Sequence, residues 1–126
     1  MKDYKKYYNI KTTPDQVYLG LTTPLTIHLW SGEETKFIAE VGAEFSLFDG
    51  SIQGKNIELI PGERIVQQWY FGDQDHESIV TFILHPNKSN TSLELRHSNI
   101  PDEDYDDMVE GWNAVYMERL MEFYDE

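Results

Sequence analysis

The stretch that most constrains the fold is the last one, PDEDYDDMVEGWNAVYMERLMEFYDE, running from Pro101 to Glu126. Tyr105, Met108, Val109, Trp112, Tyr116, Leu120 and Phe123 recur three or four residues apart in it. That spacing gathers them on one stripe of an α-helix and leaves acids on the opposite side. It predicts a helix over about residues 102–124 with Asp102 as its N-cap. The acids of its first turn suit the positive end of the helix dipole. Gly111 is the one weak interior position. A helix with Trp, Tyr, Met and Phe on its inner face needs a broad surface to pack against, and the rest of the chain must provide it.

The preceding residues read as short strands. Residues 2–11 form the first. Thr13-Pro14-Asp15-Gln16 then has the form of a capping box with proline at the first helical position, and opens a short helix through Val17, Tyr18 and Leu21. Thr23-Pro24 starts a second short helix that ends near Ser31-Gly32. From Lys36 the apolar period becomes two, and KFIAEV, EFSLF, SIQGKNIELI, ERIVQQWYF, ESIVTFIL and TSLELRHS succeed one another as strands. Gly42-Ala43, Asp49-Gly50, Pro61-Gly62, Gly72-Asp73 and Pro86 to Asn90 separate them with turn chemistry suited to antiparallel hairpins. Gly54 inside the fourth strand suggests a bulge or bend. The expectation is an α+β domain spanning residues 1–126. In it a seven-stranded antiparallel sheet curves around the long C-terminal helix, and two short helices come after strand 1.

Charge narrows the functions open to such a chain. The formal net charge is −13, which opposes nucleic-acid binding and adhesion to an anionic membrane. Residues 102–126 carry ten acids against Arg119 alone, whereas Lys2, Lys5, Lys6 and Lys11 outnumber Asp3 at the start. The acidic helix reads either as a solvated face or as a docking surface for a basic partner. There are no cysteines, which excludes disulfides, thiolate catalysis and cysteine-ligated metals. MKDYKKYYNI lacks the apolar core of a signal peptide, so the expected location is cytoplasmic.

Catalytic and metal motifs are absent. His28, His76, His85 and His97 show no paired metal spacing, and no metal or cofactor is expected. Asp102, Asp104 and Asp106 imitate the start of a calcium loop, but Asp107 and Asn113 stand where that loop needs Gly and Glu. No nucleophile elbow, P-loop or dinucleotide fingerprint is present. His97 shares the parity of Leu93 and Leu95, which turns it toward the apolar face, either as a satisfied core residue or as a ligand contact. In strand six, Ile79/Thr81/Ile83 and Val80/Phe82/Leu84 serve equally well as the inner face.

Several segments share a family pattern. Thr23-Pro24 through Leu29-Trp30, the run GSIQGKNIELIPGERIVQQWYF, then VTFIL, ELRHSNIP and the helical Gly111-Trp112 occur in this order across nearly the whole chain. With the element order, they make the sequence resemble the activator of heat-shock protein 90 ATPase homologue family. That family belongs to the START/Bet v 1-like (SRPBCC) superfamily. The resemblance implies a helix-grip fold around a hydrophobic cavity. Two local departures are Leu29-Trp30-Ser31-Gly32, where many members have Trp-Trp-Gly, and Gly42-Ala43, where many have Gly-Gly.

An aromatic cluster is left to carry function. Trp30, Phe45, Trp69, His97, Met108, Trp112 and Tyr116 are the expected ligand-binding residues, with Phe37, Leu47 and Phe71 beside them. An ordinary packed core explains them too. Aromatic walls, an adaptable Met and a polar group from His97 or Tyr116 are what a pocket for a small apolar ligand needs. The first functional reading is therefore a binding protein for a small hydrophobic or aromatic ligand. The second is a cochaperone-like interaction module that meets a chaperone or other basic protein through its acidic helix or a sheet edge. No catalytic constellation supports an enzyme.

Overall fold

In the computed structural model, which describes residues 1–72 and 75–125, β1 (Lys2–Ile10) leads into α1 (Pro14–Thr22) and α2 (Pro24–Ser31). Thr13 caps α1 as its position promises, its hydroxyl accepting from the Gln16 N–H at 3.4 Å. Thr23 ends α1 and begins α2, and Gly32 closes α2 with a left-handed φ of 72°. A bulky residue would be strained there.

Five further strands complete the sheet: β2 (Glu44–Leu47), β3 (Ile52–Ile60), β4 (Arg64–Trp69), β5 (Ser78–Asn87) and β6 (Asn90–Ile100). All pairings are antiparallel, in the order β1-β6-β5-β4-β3-β2. The sheet thus has six strands rather than seven. KFIAEV is the missing one: it contributes only a single bridge, between Lys36 and Ser46. Two of its carbonyls are satisfied by a side chain instead. The Asn56 amide donates to the carbonyls of Ile38 and Glu40, and the Gly42 N–H donates to the Asn56 carbonyl. A buried asparagine side chain takes over the role of a strand ladder, and Ile38 and Val41 are left exposed.

Gly54 is not the bulge. The extra residue in β3 is Ile57, where the register against β4 slips between Asn56 and Glu58. Gly54 instead allows close approach, since a Cβ there would overlap the Gln68 carbonyl and sit 2.9 Å from the Phe45 ring. In β5 the inner face is Val80, Phe82 and Leu84, all at most 4% exposed. The proposed turn at Gly72-Asp73 falls partly outside the described residues, because Asp73 is not among them.

The C-terminal element begins with one 3-10 turn, Asp102–Asp104, continues as α3 (Tyr105–Gly111), opens into a π-helical turn over Trp112–Tyr116, and ends as α4 (Met117–Phe123). Asp102 is not an N-cap: no side-chain capping bond is made, and its carboxylate lies 2.8 Å from the Met1 amino group. The π turn also revises the stripe. The Met117 N–H reaches back to the Trp112 carbonyl, so one extra residue enters the turn. Leu120 stays fully buried as its place on the stripe predicts, Met117 joins it, and Phe123 is left 37% exposed. Tyr124 packs on the core in its place and donates to the Gln16 carbonyl at 3.2 Å.

Asn113 holds the π turn in place. Its Oδ1 accepts from Lys6 Nζ at 2.7 Å and from the Tyr8 hydroxyl at 2.8 Å. Its Nδ2 donates to the Tyr4 hydroxyl at 2.9 Å and to the Val109 carbonyl at 2.8 Å. The helix is thereby tied to β1, and the carbonyl at 109 is satisfied. No helix of the described residues is long and apolar enough to cross a membrane.

Candidate functional site

The inner face of the sheet alternates by strand period, which sends Ile65, Gln67 and Trp69 of β4 and Leu93, Leu95 and His97 of β6 toward the helix. From the other side, the helix lowers Trp112 and Tyr116 onto them. The Trp69 and Trp112 rings stack with centroids 4.8 Å apart, and Phe82 lies edge-on to Trp112 at 5.9 Å. Tyr116 touches Trp112 at 4.7 Å and Trp30 at 5.0 Å. Phe45 packs on Phe37 at 5.6 Å behind β3. These rings pack directly on one another between sheet and helix.

Apart from the Tyr116 hydroxyl, the polar groups among these rings are already used. Trp112 Nε1 donates to His97 Nδ1 at 3.0 Å. The His97 proton must therefore sit on Nε2, which faces the Ser78 hydroxyl at 2.8 Å, and that hydroxyl donates onward to the Ser98 carbonyl. Burial holds His97 neutral, with its pKa lowered to about 3. A parallel chain runs from Trp69 Nε1 to Gln67 Oε1 at 3.0 Å, and from Gln67 to Asn56. Trp30 Nε1 donates to the Gly20 carbonyl at 2.7 Å. Among the described residues, no side-chain nitrogen or oxygen that is fully shut off from solvent lacks a partner.

An open space adjoins these rings: a cleft of about 440 Å³ between α3 and the β2–β3 end of the sheet. Of the expected site residues, Trp69, Met108, Trp112 and Tyr116 line it, whereas Trp30, Phe45 and His97 sit behind it in the packed interior. Its remaining walls are Phe48, Ile52, Phe71 and Val115, with Asp104, Asp107, Ser51 and Gly111 at the edge. The helical members could have been found from spacing, because 104, 108, 111 and 115 share one flank beside the main stripe. Phe48 could not. It enters through a turn in which Phe48 and Asp49 both have left-handed φ values, 52° and 55°. Such values cost a bulky residue of order 1–3 kcal/mol. Contacts to Trp30, to Tyr116 and to the Arg119 guanidinium, which lies 5.7 Å from its ring centre, hold it there.

Arg119 also donates to the Ser31 carbonyl at 2.6 Å, so the one cation of the last helix clamps the end of α2. The other histidines make local contacts: His28 meets the Glu33 carbonyl at 2.9 Å, and His85 meets Glu94 at 2.9 Å on the outer face of the sheet.

An antiparallel sheet closed over one long helix, with two short helices bridging its mouth, defines a helix-grip protein of the START/Bet v 1-like class. Within that class, the chain belongs to the family described as Activator of Hsp90 ATPase homolog 1-like protein, which matches residues 11–124. It is similar to the activator of 90 kDa heat shock protein ATPase homolog of Dictyostelium discoideum, with 33% identity over 122 residues, 94% of this chain and 32% of the relative. Human homolog 1 is 24% identical over 115 residues, 90% of this chain and 34% of that protein. The chain therefore spans about a third of the length of the curated relatives it matches. Among solved structures, an HSP90 activator from Plasmodium falciparum superposes with a TM-score of 0.89 at 24% identity, covering 98% of this chain and 96% of that one. The Aha1 dimer from Colwellia psychrerythraea gives 0.81 at 22% identity, covering 99% and 95%. These two likenesses establish the fold.

Proposed function

We propose that this chain is a cochaperone-like interaction domain that binds an Hsp90-class chaperone and alters its ATP hydrolysis. The observation that carries the reading is the filled interior. An enclosed container for a small guest needs interior space. Here the three indole N–H groups donate to Gly20, Gln67 and His97, and the rings pack on one another. Binding energy must then come from the surface. Relatives named as activators of the 90 kDa heat shock protein ATPase support the same direction. So does the charge of −13, which suits a basic partner surface. The test is calorimetric titration of Hsp90 with the chain, and then measurement of its ATPase rate. Saturable binding with a changed rate is expected. No heat at tens of micromolar protein in physiological salt overturns the reading.

A second reading has one observation in its favour. The cleft of about 440 Å³ has Trp69, Trp112 and Tyr116 at its floor and Met108 on its wall. A small hydrophobic or aromatic ligand would gain affinity there chiefly by burying apolar surface, about 25 cal/mol per Å² before binding entropy is subtracted. Native mass spectrometry of freshly purified protein tests it. A bound mass that denaturation removes supports the reading, and bare protein together with no saturable change in tryptophan fluorescence across an apolar compound library refutes it.

A further inference from the structure

The cleft has a charge asymmetry that its apolar walls do not explain. On the flank of the helix that faces β1, lysines accompany the helix. Lys2 lies 5.0 Å from the Tyr105 ring centre, Lys6 meets Asn113, and Lys11 pairs with Asp125 at 2.8 Å. On the cleft flank, Asp104 and Asp107 stand at the rim, and neither joins an ion pair among the described residues. Below them Phe71 and Met108 present half-buried apolar surface. Tyr116, only 4% exposed, lines the same cleft, and its hydroxyl has no hydrogen-bond partner among the described residues. Burial raises its pKa, so it remains an O–H donor throughout the physiological range.

We infer that the cleft receives a segment of a protein partner in which a lysine or arginine is flanked by apolar residues. The inference rests on the chaperone-binding reading and names the chemistry of the segment that reading requires. A basic side chain can lay its apolar stem along Phe71 and Met108 and carry its charge to Asp104 and Asp107. Aromatic faces on the wall attract the same cation. The Tyr116 hydroxyl is a donor for a carbonyl of the segment. The volume lies within the roughly 300–1,000 Å³ typical of sites for compact groups. An acidic segment is rejected by the rim carboxylates. A small cation alone would leave much of the complementarity unused, because Glu103, Asp106 and Glu110 continue the exposed acidic surface beyond the cleft.

The test uses short peptides with Lys, Arg, Gln or Glu at the centre of apolar flanks, and Hsp90, each titrated against the wild-type chain and an Asp104→Asn/Asp107→Asn double variant. The Lys and Arg peptides should bind about tenfold or more tighter than the Gln peptide, and the Glu peptide weakest. The double variant should erase that preference while its thermal midpoint stays near wild type, and Tyr116→Phe should weaken all four peptides alike. Equal affinity for Lys and Gln peptides, a preference that survives the double variant, or no peptide binding overturns the inference. Hsp90 binding unaffected by the double variant removes the inference and leaves the chaperone reading standing. Lys-selective peptide binding without Hsp90 binding does the reverse.

Discussion

Trp112 donates its indole N–H to Nδ1 of His97 across 3.0 Å, joining the middle of the C-terminal helix to the last strand of the sheet. Both residues are at most 1% exposed. The bond fixes the histidine tautomer and orients the hydroxyl of Ser78, so the aromatic interior is locked by a polar chain as well as by packing.

Removing that donor should be costly. Trp112→Ala should destabilise the protein by about 3–5 kcal/mol through the cavity it leaves. Trp112→Phe keeps most of the ring but orphans His97 Nδ1, and should cost about 1–3 kcal/mol beyond the lost volume. Urea unfolding of the two variants separates the contributions. A Trp112→Phe protein as stable as wild type would mean that the hydrogen bond contributes nothing net.

His97 should make the fold sensitive to mild acid. Its pKa is about 3 in the folded chain against an ordinary value of 6.5, so the unfolded chain binds the extra proton first. Stability attributable to this residue is then fully present above about pH 6.5. It declines as pH falls toward 3, at up to about 1.4 kcal/mol per pH unit. Comparing denaturation of wild type with His97→Gln from pH 7 to pH 4 isolates the effect. The variant should be less stable at pH 7 but should show the shallower slope, and parallel slopes would contradict this.

Asn113 should set the π turn. Its amide satisfies the Val109 carbonyl and Tyr4, and its oxygen takes Lys6 and Tyr8. Asn113→Ala should lose about 1–3 kcal/mol by removing the hydrogen bonds that tie the turn to β1. Amide hydrogen exchange of the variant should be fastest between residues 109 and 117. Exchange no faster there than in wild type would show that packing alone maintains the turn.

Gly111→Ala should go the other way. Its backbone is helical, φ −61°, and an added Cβ would meet nothing within 4 Å. The substitution should stabilise by about 0.5–1 kcal/mol through helix propensity, and the methyl would enter the edge of the cleft. A lower thermal midpoint would indicate that the open space is occupied in solution.

The helix, the two short helices and most strands were legible because each carries a local signal: apolar period, Thr-Pro starts, Gly turns. Their limits show where local signals stop. KFIAEV alternates like a strand, yet Asn56 of β3, 18 residues from Ile38 and 16 from Glu40, captures its carbonyls. The stripe on the last helix was readable at Trp112, Tyr116 and Leu120, all buried. The π turn adds Met117 to the inner face and leaves Phe123 outward, which no periodic reading at a constant 3.6 residues per turn can anticipate. Trp69, Met108, Trp112 and Tyr116 came together at the cleft because parity and helical spacing are sufficient to face them. Phe48 escaped because its direction depends on a strained turn held by contacts from distant elements.

The central claim is that this domain meets a partner at its surface while its interior stays closed. The most direct measurement is a proton–nitrogen correlation spectrum of labelled chain, recorded with increasing Hsp90 and, separately, with small apolar compounds. Hsp90 should perturb the backbone signals of Phe71, Asp107, Met108 and Val115, while the indole signals of Trp30, Trp69 and Trp112 remain unmoved by the small compounds. An unchanged spectrum with Hsp90, together with large shifts of the Trp69 and Trp112 indoles on adding an apolar compound, would contradict the account.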